Sequence, residues 1–291
     1  MKIKKLSYLF GLTFSTILLS EPIFAQQAIW GAVGNNQIWR TDVNTGVSTF
    51  LTASPFFGQV NSLAYDSTRD IVIYQEDLAQ AGIGTRVRMA YYNFATNTHS
   101  LLSAPSLNTR TFQAADGAFD GTNFWYIPVG TDDLTRISIN TVTNTYTAPV
   151  IEASVRNNTE AMDFGDIEFA GNIGASTGTA PRFFISGGDT FLNPRLAYYD
   201  FFPSNTYTVT STDYPRQIAR NFDTNQFYGA KGFGTGGQLF FLNEYTGFQV
   251  PIATLPFEPS DLTIRPIPEP SSALLLSMLG LGCFVRRRKD G

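Results

Sequence analysis

Three aspartates pose the first chemical question. Asp116, Asp166 and Asp261 fall at one place in a repeating pattern of short strands, in a column completed by Ser62 and Ala219. Three convergent carboxylates would offer the oxygen ligands that Ca²⁺ takes. They would equally supply the acid and base that glycoside hydrolysis needs at defined separations. Asp163 and Glu168 lie beside one member, and Arg216, Arg220 and Lys231 are cations that could pair with these acids. A plainer reading competes, because Asp hydrogen-bonds backbone N–H groups for purely local reasons. The sequence favours it: the aspartates are expected to cap turns and to bond backbone N–H groups between neighbouring repeats.

Little else in the chain carries chemistry. His99 is the only histidine and Cys283 the only cysteine. A His-based metal centre, a Ser-His-Asp triad and a Cys-His dyad all need partners the chain can barely supply. No disulfide, metal centre or cofactor is expected. His99 follows a hairpin turn and reads as a surface residue. The glycine-rich residues 232–237 precede a strand, so they read as a hairpin loop; a phosphate cradle needs a helix N-terminus behind it. Trp30, Trp39 and Trp125 read as core residues before sugar-stacking platforms, because each buries a large apolar area.

Charge narrows the partners. The chain has 20 Lys plus Arg and 24 Asp plus Glu. Residues 1–25 hold 3 cations and 1 acid, and residues from 268 onward hold 4 and 2. The body is left with 13 cations against 21 acids, a net charge of −8. Such a surface repels phosphate backbones, so nucleic acid is not an expected partner.

The elements that would position the aspartates are hairpins. Asp42, Asn93, Asn140, Asp200 and Asn243 each end a strand. Gly46, Asn97, Asn144, Asn205 and Gly247 follow near the end of each turn, where a positive φ is tolerated. A second hairpin lies between these, at 62–74, 116–127, 166–185 and 219–229. Together they give four short strands about every 43 to 60 residues, the signature of β-propeller blades. The N-terminal repeat lacks its first strand, and residues 261–264 form a first strand with nothing after it. Pairing the two completes a blade and closes the ring, which removes free edges. The expected fold is an all-β, five-bladed β-propeller. Its blades are 28–52 with 260–265, then 61–103, 115–151, 165–210 and 218–254. A helical leader and a helical, transmembrane-like tail flank it.

Both ends read as processing segments. Lys2, Lys4 and Lys5 precede an apolar stretch at 6–19, and Ile23-Phe24-Ala25 offers a cleavage site before Gln26. This is the layout of a signal peptide. The domains expected are therefore a signal peptide at 1–25, a propeller at 26–266 and a tail at 267–291. In the tail, Pro268-Glu269-Pro270 precedes an uncharged run at 271–285, closed by Arg286, Arg287, Arg288 and Lys289. As a helix that run reaches about 22 Å, short of the ~30 Å hydrocarbon core. It would hold the inner membrane transiently, with its cations on the cytoplasmic side.

This tail resembles the PEP-CTERM sorting domain of exported bacterial proteins. The resemblance covers the tail and nothing of the body. It implies processing by an exosortase, a membrane cysteine-protease-like transpeptidase, in bacteria that make extracellular polysaccharide. The chain is accordingly read as an exported protein of the cell surface or extracellular matrix. It would be a non-enzymatic binding or structural module, with extracellular polysaccharide as a candidate partner. The alternatives are a secreted carbohydrate-active enzyme using Asp116, Asp166 and Asp261, and a glycan-binding lectin.

Overall fold

Hairpins pinned by their own turn residues build the molecule. The computed structural model describes residues 25–56, 58–80, 83–103, 117–128, 131, 133–154, 164–171, 182–188, 195–200, 206–211, 217–232 and 236–267. Among them there are strands and turns and no helix. The expected leader helix and tail helix lie outside the described residues.

The chain opens with β1 (Ala25–Ala32), β2 (Gln37–Asp42) and β3 (Ser48–Ala53). A four-stranded sheet follows: β4 (Gln59–Asp66), β5 (Ile71–Gln80), β6 (Ile83–Asn93) and β7 (Thr98–Leu102). The third sheet holds β8 (Ala118–Phe119), β9 (Asn123–Tyr126), β10 (Asp133–Asn140), β11 (Thr145–Tyr146) and β12 (Val150–Ser154). The fourth is β13 (Phe164–Gly171), β14 (Arg182–Gly188), β15 (Arg195–Asp200) and β16 (Thr206–Ser211). The fifth is β17 (Gln217–Asn221), β18 (Gln226–Gly232), β19 (Gly237–Leu242) and β20 (Gln249–Leu255). Finally β21 (Pro259–Ile267) pairs with β1, giving the order β21-β1-β2-β3. Five sheets result, and the last strand completes the first, so the five-bladed propeller closes as the sequence implies.

Details differ from the expected boundaries. Strand β1 begins at Ala25, and β21 extends to Ile267, directly before the Pro268-Glu269-Pro270 motif. The outer strand of the third blade is split. Its first piece, β11, pairs with Ile139 and Asn140, and its second, β12, pairs with residues 133–136 of β10. Pro149 lies in the gap, where its missing N–H interrupts the ladder.

Turn chemistry repeats across the blades. Asp42, Asp66, Asn93, Asp120, Asn140, Asn221 and Asn243 each accept two backbone N–H bonds from residues two and three positions on, at 2.7 to 3.3 Å. Several of the turns end in a left-handed residue: Gly46 at φ 71°, Asp70 at 53°, Asn97 at 54°, Asn144 at 52° and Asn225 at 57°. Asn, Asp and Gly carry the smallest penalty there.

Strand periodicity then fills every blade interface. Consecutive residues point to opposite faces of a sheet, so neighbours in sequence enter different cores. Trp30 packs with Tyr228 and Leu239 between blades one and five, whereas Ile29 packs with Leu63 and Tyr74 between blades one and two. Ile73 joins Phe124 and Ile137, Trp125 joins Phe183 and Tyr199, and Phe184 joins Ile218 and Phe227. Each interface thus has its own apolar cluster, and burying one such side chain contributes roughly 1.5–3 kcal/mol.

An ion pair secures the closing strand. Arg265 of β21 donates to both carboxylate oxygens of Asp70 in the β4–β5 turn, each at 2.7 Å. Its guanidinium also lies 3.9 Å from the centre of the Phe94 ring. The Arg265 hydrogen bond holds the Asp70 carboxyl below its ordinary value. The pair therefore stabilises the fold above the ordinary carboxylate range, and that contribution is lost as pH falls through the lowered value. Replacing Arg265 with Met is expected to cost about 1–2 kcal/mol, given a bidentate but half-exposed pair. Urea unfolding at neutral pH and at about pH 3 would check this, because the difference between wild type and variant must shrink in acid.

Candidate functional site

Two of the three sequence-selected aspartates lie on innermost strands and are buried. Asp166 on β13 is 1% exposed and Asp261 on β21 is 0% exposed. Asp116, with Asp163 and Arg216, lies outside the described residues. Asp166 Oδ2 accepts the backbone N–H of Ile218 on β17 at 2.7 Å. Asp261 Oδ2 accepts the backbone N–H of Leu63 on β4, and its Oδ1 accepts that of Leu262 at 2.6 Å. Each carboxylate therefore joins its own blade to the next one around the ring.

The same bond recurs two residues further along each strand. Glu168 Oε2 accepts the N–H of Arg220 at 3.2 Å, and Thr263 Oγ1 accepts that of Tyr65 at 3.1 Å. On β21 the set continues to Arg265. Residues 261, 263 and 265 thus all bond blade two, while Leu262 and Ile264 enter the core between blades one and five. Alternation along a strand makes this division possible.

These bonds also correct the column. Leu63 lies three residues before the turn-capping Asp66, and Ile218 three residues before the turn-capping Asn221. The residue matching Ser62 in the last blade is therefore Gln217, and Ala219 lies two positions further on. Gln217 is buried, and its amide donates to Ser260 O at 3.1 Å, again linking blade five to the closing strand. Spacing alone could not show this, because Asn221 and Asp223 are both candidate turn caps, and the structure shows that Asn221 is the one used.

A small cavity lies where the innermost strands meet. Ala64, Phe119, Glu168, Arg220 and Thr263, one from each blade, contribute to its wall. Its volume is about 10 Å³, the space of a single water. Glu168 dominates its electrostatics. Burial raises its carboxyl to about 8, against a smaller opposing effect of the Arg220 backbone N–H and charge. Burial likewise lowers the Arg220 guanidinium, with Glu168 opposing it. At neutral pH the Glu168 carboxyl is therefore mostly protonated. Among the described residues no three His, Cys, Asp or Glu side chains gather as a metal site. The alternation of acids at 166 and 168 was the sequence signal for Glu168.

His99 is half-buried, not a surface residue. Its Nδ1 is 2.7 Å from the Tyr74 hydroxyl and its Nε2 is 3.0 Å from Thr52 Oγ1. The Tyr74 hydroxyl also bonds Ser54 Oγ at 3.1 Å. The ring thus bridges blades one and two, and burial lowers its pKa to about 4. Trp30 and Trp125 are buried core residues, with indole N–H bonds to Thr41 Oγ1 at 3.0 Å and Asp120 Oδ2 at 2.6 Å. Lys231 lies 5.8 Å from the Phe240 ring centre. Gln26, beside the expected cleavage site, is buried. Its carbonyl accepts Val43 N–H at 3.1 Å, and its Oε1 accepts the Tyr228 hydroxyl of blade five.

Known proteins match the two parts of the chain differently. Residues 266–289 match the PEP-CTERM protein-sorting motif. That span includes the Pro268-Glu269-Pro270 signal and the Arg286, Arg287, Arg288 and Lys289 cluster, all outside the described residues. Among curated proteins none matches the chain in sequence. The fold is similar to one in the crystal structure of a nidogen/laminin complex, at TM-score 0.50 and 7% identity, covering 82% of this chain and 98% of that one. TolB from Acinetobacter baumannii is also similar, at TM-score 0.46 and 10% identity, covering 88% of this chain and 71% of that one. At such identities the likeness concerns the fold alone.

Two outcomes follow for the inner ring. Asp261→Ala leaves two buried N–H groups without their acceptor and is expected to cost about 2–4 kcal/mol, read by urea unfolding. Glu168 binds its proton more tightly folded than unfolded. Its contribution is full below the ordinary carboxylate value and falls as pH rises to about 8. Thermal melts should therefore show Glu168→Gln gaining on wild type between about pH 4.5 and pH 8.

Proposed function

We propose that this chain is an exported, non-enzymatic propeller, delivered by exosortase sorting to the cell surface or extracellular matrix as a binding or structural module. The premise is a tail whose motif implies export to the cell envelope and processing by an exosortase. One observation about the body carries the rest: the innermost carboxylates bond the backbone of the next blade. Asp166 and Asp261 each accept a buried N–H from a neighbouring sheet. A carboxylate held this way stabilises a ring and is poorly placed to move protons on a substrate. The adjoining cavity, at about 10 Å³, is far below the ~300 Å³ of the smallest common ligand sites.

The sorting step suits the architecture. The leader is removed at Ala25–Gln26 on export, and the tail holds the inner membrane transiently until the exosortase acts at the Pro268-Glu269-Pro270 region. Because β21 ends at Ile267, removal of the tail leaves the closing strand whole. Asp261, Thr263 and Arg265 keep that strand fastened to blade two.

Mass spectrometry of the chain's C-terminus tests this. In cells with a working exosortase the Arg286–Lys289 cluster should be missing from the mature protein, and in cells lacking the enzyme it should persist. An intact cluster in both strains would refute the sorting step.

A further inference from the structure

We infer that the turn-bearing end of blade five is a binding site for a neutral saccharide; the inference deepens the reading of the body as a binding module and rests on it. A shallow cleft of about 290 Å³ opens between the β17–β18 and β19–β20 turns. This volume is near the lower end of the range for small-molecule sites, ~300–1,000 Å³, and accommodates about one or two sugar rings.

The wall has the chemistry of a polyol site. Asn225, Gln226 and Asn243 bring amides, and Glu244 brings a carboxylate. Phe248 and Val250 bring apolar surface that is otherwise unusually exposed, at 68% and 44%. No Lys or Arg lines the cleft directly; Arg220 touches its wall by donating to Asn225 Oδ1, and the Glu244 carboxylate in that wall opposes its charge, so an anionic ligand would gain little. A neutral sugar presents a C–H face that packs on an aromatic ring and hydroxyls that both donate and accept hydrogen bonds.

The polar groups are held in place in advance. Asn243 Oδ1 accepts from the N–H groups of Tyr245 and Thr246, at 3.1 and 3.0 Å. Asn225 sits at φ 57°, and its Oδ1 accepts from the Arg220 guanidinium. Both amides thus have their oxygens engaged within the protein and turn their NH₂ groups to the role of donor. Gln226 is the converse: its Nε2 donates to Phe227 O at 3.0 Å, leaving Oε1 as acceptor. Fixed donors, a fixed acceptor and an exposed ring need little ordering on binding, which favours affinity.

Calorimetric and NMR titration of the purified full-length protein would test the site, with cellotetraose and dextran as neutral probes and polygalacturonate as the acidic one. Saturable binding of a neutral probe is expected, weakened about tenfold by Phe248→Ala and also weakened by Glu244→Gln. Phe248 is exposed and Glu244 is half-buried at the rim, so melting temperatures should fall little, least for Phe248→Ala. Equal binding by wild type and Phe248→Ala, preference for polygalacturonate, or no binding of either neutral probe would overturn the site. Those results leave tail removal untouched, so failure of the site and failure of the sorting step are separately visible.

Discussion

Closure of the ring depends on one strand added from the far end of the chain. β21 completes the first blade and fastens it to the second through the alternate residues 261, 263 and 265 and through Ser260, whose hydroxyl donates to Val60 O at 2.6 Å. Asp261 and Thr263 accept backbone N–H groups of Leu63 and Tyr65, which lie 198 residues away in sequence in both cases. Arg265 then grips Asp70 with two hydrogen bonds. The intervening residues, Leu262 and Ile264, enter the core between blades one and five. A single strand thus serves two interfaces at once, polar on one face and apolar on the other.

The same division recurs between blades four and five, where Asp166 and Glu168 meet Ile218 and Arg220. Innermost strands have an unpaired side, and buried backbone N–H groups must find acceptors there. Asp166, Glu168, Asp261 and Thr263 side chains on the neighbouring blade satisfy them and fix the relative height of two sheets. Two of the three aspartates that suggested a catalytic or Ca²⁺-binding centre, Asp166 and Asp261, thereby join neighbouring blades. Glu168 accepts this role at an electrostatic cost, since burial holds its carboxyl protonated to about pH 8.

The turns between strands obey a more local logic. At the described turns, Asp42, Asp66, Asn93, Asp120, Asn140, Asn221 and Asn243 bond the N–H groups two and three positions on. Such turns present side chains to solvent on a backbone fixed by local bonds. The cleft on blade five is made from two of them, at 221–226 and 243–248. Rigid turns on a closed scaffold suit recognition, because little freedom remains to be lost.

Local chemistry made much of this legible in the sequence. Strand-ending Asp and Asn, positive-φ turn residues and the missing first strand of the N-terminal repeat together gave five blades and their closure. Pro268-Glu269-Pro270 and the Arg286–Lys289 cluster gave the sorting motif. These signals act over a few residues, or by counting, so they need no three-dimensional information. Only tertiary structure could decide what Asp166 and Asp261 touch, that Gln217 and not Ala219 shares their position, and that His99 is wedged between Tyr74 and Thr52. Each depends on how high one sheet sits against the next. That height is set by contacts between residues far apart in the chain, about which a repeat pattern is silent.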